Sequence, residues 1–101
     1  MYDRATIKAM GPADAYEALQ RLRTCLRTTG LDPEDCDTDM VLLENQMVRG
    51  AVRTANDVMA IAQRVLDESR NDPSLVNPEL MPALIAGLSV LTGVQPLPSA
   101  A

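Results

Sequence analysis

The residues best suited to chemistry in this chain are carboxylates crowded into one stretch: Asp32, Glu34, Asp35, Asp37 and Asp39. The alternation Asp35, Asp37, Asp39 matches the opening of a calcium-binding loop, whose oxygen ligands sit at alternate positions. Such a loop also needs glycine at its sixth position, for a sharp turn, and a bidentate glutamate at its twelfth. Met40 and Gln46 stand in those places, so no metal is expected. The acids suit a helix start instead, where negative charge meets the positive end of the dipole. Asp35, Asp37 and Asp39 would also form an acidic patch for a basic partner surface, steering its approach.

Other chemistries lack their parts. Histidine is absent, which removes the commonest general base. Cys36 lies among carboxylates that disfavour its thiolate, and Cys25 and Cys36 do not form a C-x-x-C pair. No glycine-rich phosphate loop occurs. Neither an enzyme nor a cofactor is expected. Arg21, Arg23 and Arg27 resemble a phosphate-binding row, but no aromatic residue is interleaved to stack on bases. They read as a solvated helix face. The net charge is −5, and an acidic chain repels phosphate backbones. Nucleic-acid regulation is therefore the last of three functional alternatives.

The elements that position these residues are helical by composition. Leu and Ala number 13 each, against 3 Ile, no Phe and no Trp. Helices favour Ala, Leu and Met, whereas strands favour β-branched and aromatic residues. The 101 residues predict one all-α domain spanning 1–101. Residues 1–10 read as a short helix or a flexible arm, and 95–101 as a frayed tail. Gly11-Pro12 predicts a helix start and Gly30 its end. A second helix is expected from Asn77 or Pro82 to Gly93. Its neighbourhood is the most apolar segment, Leu80–Val94, at 15 residues. A bilayer span needs about 20, so no membrane association is expected. With no secretory leader and no disulfide framework, the expected location is cytoplasmic.

Between them the pattern predicts one unbroken central helix from Thr38 to Arg70. Val41, Val48, Ala55 and Ala62 recur every seven residues, and Ala51, Val58 and Val65 run beside them. Such a seam invites a second helix to pack closely. If straight, it would span roughly 50 Å at about 1.5 Å per residue. About three helices, arranged as a hairpin or bundle and paired into a homodimer, are expected. The contact residues would be Met47, Ala51, Ala55, Val58, Ala62 and Val65, backed by Leu84 and Leu88. The functional expectation is a small protein-binding module that masks a surface on another protein, as inhibitors, antiactivators and secretion chaperones do. A structural subunit of a larger phage or secretion assembly is the alternative.

Overall fold

The computed structural model describes residues 3–30 and 33–96, without the side chains of residues 29 and 33–37. Five α-helices form among the described residues: α1 (Arg4–Lys8), α2 (Pro12–Thr29), α3 (Pro33–Arg49), α4 (Ala55–Asn71) and α5 (Leu80–Thr92). A short 3-10 turn, Pro73–Leu75, precedes α5. No strand occurs among the described residues.

Residues 4–8 take the helical alternative. Asp3 caps α1, its carboxylate accepting from the Ala5 N–H at 2.9 Å. Ile7 is buried at 3 % exposure. The Gln46 side-chain amide of α3 donates to the Met10 carbonyl at 2.9 Å and to that of Lys8 at 3.3 Å. The N-terminal segment is thus fastened to α3. In α2, proline occupies the first turn, where its missing N–H costs nothing, and Gly30 closes the helix at φ 67°.

The central helix is two helices, and this corrects the expectation of an unbroken rod from 38 to 70. α3 starts earlier, at Pro33, and ends at Arg49. The chain then runs irregularly through 50–54 before α4 begins. Two features make the break, one remote in sequence and one local. Gly50 lies so close to α1's exit that an added Cβ would sit 2.7 Å from the Met10 carbonyl oxygen. Thr54 is extended and caps α4. Its N–H donates at 3.1 Å to Asp57, three residues on. That is half of the reciprocal capping box by which a helix start satisfies its unpaired donors. The seven-residue repeat across Val48 and Ala55 was periodic by coincidence. The break turns α4 relative to α3, so one seam cannot run along both. Five helices replace the expected three or so.

The core lies between α2, α3 and α4. Ala15, Leu19 and Leu22 of α2 pack with Leu43 and Met47 of α3, Ala60 of α4 and Ile7 of α1. Small residues on α2 and α4 let the backbones approach, and Leu and Met fill the space between. α5 forms a second, thinner contact along α4. Leu80 is 2 % exposed, and Gly87 meets Val52 and Val58 so closely that a Cβ there would touch both. The molecule measures 47 × 30 × 19 Å. Its thinnest dimension is about two helices deep, given a diameter of roughly 10 Å each.

Candidate protein interface

Two polar arrangements tie the helices together. The first centres on Asp57, 6 % exposed at the start of α4. One carboxylate oxygen accepts from the Ala13 N–H in the first turn of α2 at 2.9 Å. The other accepts from the Arg53 N–H at 2.9 Å and the Thr54 N–H at 3.1 Å. Two helix N-termini therefore converge on one negative charge. Burial would raise the Asp57 pKa. The bonds from Arg53, Ala13 and Thr54 outweigh it and hold the carboxyl below its ordinary value. Gly11 leaves room for this approach, since a Cβ there would lie 2.9 Å from the Asp57 oxygen.

The second arrangement joins α2, α3 and α4 farther along α4. Arg64, 8 % exposed, reaches Glu44 at 3.1 Å and Glu68 at 3.5 Å, and Arg23 approaches Glu44 at 3.7 Å. The Tyr16 hydroxyl donates to Asp67 at 2.7 Å, and Gln63 donates to its other oxygen at 3.0 Å. Desolvation and the neighbouring Asp67 push the Tyr16 hydroxyl pKa up. Burial would raise the Asp67 carboxyl, but the bonds from Tyr16 and Gln63 lower it. Every buried side-chain nitrogen and oxygen among the described residues has a partner. These groups are engaged in holding helices, and each charge faces a counter-charge or a donor. Among the described residues no set of three or more Cys, Asp or Glu stands together to hold a metal.

The unsatisfied surface is apolar, and it lies on α4 and α5. Along α4, Ala55, Met59, Ala62 and Leu66 share one face at helical spacing. Met59 is 66 % exposed and Leu66 44 %. α5 carries no charge from Leu80 to Thr92. Its buried side is Leu80 and Gly87, while Met81, Ile85 and Leu88 stay 45–48 % exposed. A small cleft on one side of the α4–α5 pair brings Val52 and Ile61 against Ala83, Gly87 and Val90. By helical phase the Met81–Ile85–Leu88 flank lies on the side of α5 away from that cleft. Both helices thus leave apolar side chains open to solvent, together the α4–α5 strip. A helix apolar on all sides normally has neighbours on most of them. Here α5 packs on α4, with a lesser contact to α3, and its Met81–Ile85–Leu88 flank stays open.

The expected contact residues distribute unevenly. Met47 and Val58 are buried at 0 % and 9 %, as part of the internal packing. Ala51 is exposed in the loop before α4. Val65 and Leu84 are half-buried, in phase with the α4–α5 contact. Ala55, Ala62 and Leu88 lie in the outer strip, half-buried or exposed. Of the acidic patch, Asp39 is half-buried on α3; Asp35 and Asp37 fall on α3 where side chains lie outside the described residues. Sequence reasoning did not single out Met81 and Ile85. Their spacing with Leu88, four and then three residues, was the available signal. No helix among the described residues is long and apolar enough to cross a membrane. Comparison with known protein families, curated proteins and solved structures finds no match to this chain.

Proposed function

We propose that this protein is a small helical binding module, acting by laying the α4–α5 strip over an apolar surface of another protein. One observation carries the reading: α5 is a charge-free helix buried along a single side, with Met81, Ile85 and Leu88 left 45–48 % exposed. Contiguous exposed apolar surface of this kind marks interaction sites. An amphipathic or apolar helix offers anchors at i, i+4 and i+7, as helix-in-groove recognition requires. Masking of a partner surface then follows from occupancy alone, without chemistry. The test is site-specific photo-crosslinking in native cell extract, with the crosslinker at position 85 and, as control, at exposed position 27. A discrete protein adduct from position 85 alone is expected. Equal capture at both positions, or capture from 27 only, would overturn the assignment of this face.

A further inference from the structure

We infer that the α4–α5 strip is self-complementary, and that in the absence of another client it is covered by a second copy of this chain across a two-fold axis. The inference rests on the contact-face reading above and adds the occupant and its register. The first argument is area. Met59 and Leu66 of α4 and Met81, Ile85 and Leu88 of α5 leave 44–66 % of their surface open, five large apolar side chains on the two helices. A standard interface removes about 800 Å² from each partner. The second argument is charge. The net charge of −5 makes two copies repel through most faces. The strip, composed of Ala55, Met59, Ala62 and Leu66 with the α5 flank, is uncharged, so two copies can meet there without burying an ion.

The third argument is shape, and it fixes the register. Along α4 the strip alternates small, large, small, large: Ala55, Met59, Ala62, Leu66. An antiparallel partner related by a two-fold level with the Ala60–Ile61 peptide brings Met59 opposite the second copy's Ala62. The same axis brings Leu66 opposite its Ala55. Each protruding side chain then faces an alanine, and each contact occurs twice, as an isologous interface demands. An in-register parallel pairing would set Met59 against Met59 and Leu66 against Leu66, and an antiparallel pairing slipped by one turn would set Met59 against Leu66. Met81, Ile85 and Leu88 extend the same surface outward.

The test is sedimentation equilibrium of the full chain across the micromolar to millimolar range, run on four proteins. The wild type is expected to be a dimer in equilibrium with monomer. Met59→Glu is expected to be monomeric with an unchanged helical spectrum, since position 59 is solvent-exposed in the single chain. Ala62→Met should weaken the dimer at least about tenfold by setting methionine against methionine. Met59→Ala combined with Ala62→Met should restore it, because large again faces small. A wild type that stays monomeric throughout overturns the inference, as does a dimer that survives Met59→Glu. Failure of the swap to restore pairing overturns the register. If the wild type is monomeric but crosslinks a client from position 85, only self-pairing is lost. If it is monomeric and captures nothing there, the contact-face reading falls as well.

Discussion

Replacement of Asp57 by alanine should be the most damaging single polar change in the molecule. The carboxylate receives three backbone N–H groups from two helix starts, those of Ala13, Arg53 and Thr54. Arg53 and Thr54 are exposed, so water can replace the acceptor there, and losing the cap costs about 1 kcal/mol. The Ala13 N–H lies between helices. Leaving it without an acceptor costs about 1–3 kcal/mol. Together the loss is about 3 kcal/mol, against a total stability of roughly 5–15 kcal/mol for a domain of this kind. Urea unfolding followed by circular dichroism at neutral pH measures it, and Tm should fall by about 12–24 °C. The effect has a pH signature. Because the native pKa of Asp57 is lowered from 3.8, the unfolded chain takes up the proton first as pH falls. The contribution is therefore complete above pH 3.8 and is lost as pH drops through the lower native value. The gap between wild type and Asp57→Ala should stay constant from neutrality to mild acid and narrow below that. A loss under about 1 kcal/mol at neutral pH, or a gap that persists undiminished in strong acid, would refute the assignment of Asp57 as a shared cap.

Two further outcomes check other contacts. Gly50→Ala should destabilise by about 1–3 kcal/mol, because the new methyl would press on the Met10 and Gln46 carbonyl oxygens at 2.7 and 2.8 Å; chemical denaturation measures it, and a neutral result would place the α1 exit elsewhere. Tyr16→Phe should lose about 1 kcal/mol by removing the 2.7 Å bond to Asp67, and should also abolish the high-pH loss of stability that a raised tyrosine pKa produces above pH 10, read by denaturation on either side of that value.

The helical class was legible because it rests on composition, which no tertiary contact can alter. Both ends of α2 and the C-terminal end of α5 were legible too, whereas α5 starts at Leu80, between the expected Asn77 and Pro82. Pro12 at a helix start and Gly30 and Gly93 at helix ends are local devices, and both glycines do sit in the left-handed region, at φ 67° and 72°. The break at 50–54 was harder to read because half of its cause is remote. Gly50 on its own signals only a weakened helix, costing about 0.5–1 kcal/mol relative to alanine. What converts it into a break is the Met10 carbonyl, forty positions away, occupying the space where a side chain would be. The other half was local: Thr54 followed by Asp57 has the spacing of a capping box, but an apolar seven-residue repeat ran straight across it. Once the break is placed, Met47 and Val58 turn inward and the exposed strip falls to α4 and α5 alone. The charge-free character of α5 was visible beforehand. Which of its sides lacked a neighbour was not, because that depends on how α4 is turned.

The bond from Ala13 to Asp57 has a consequence for the order in which the chain assembles. It joins residues 44 apart, and it requires α2 and α4 to be already aligned at their starts. α4 and α5, by contrast, are linked by a turn in which Asn77 hooks back to Glu68 only nine residues away, a closure that demands little loss of chain freedom. The hairpin of α4 and α5 can thus form early and locally, while the knot at Gly11, Gly50 and Asp57 closes last, because distant contacts reward the chain only after the loop between them is fixed. A chain refolding from denaturant can therefore order the uncharged α5 against α4 before the junction of α2 and α4 is locked.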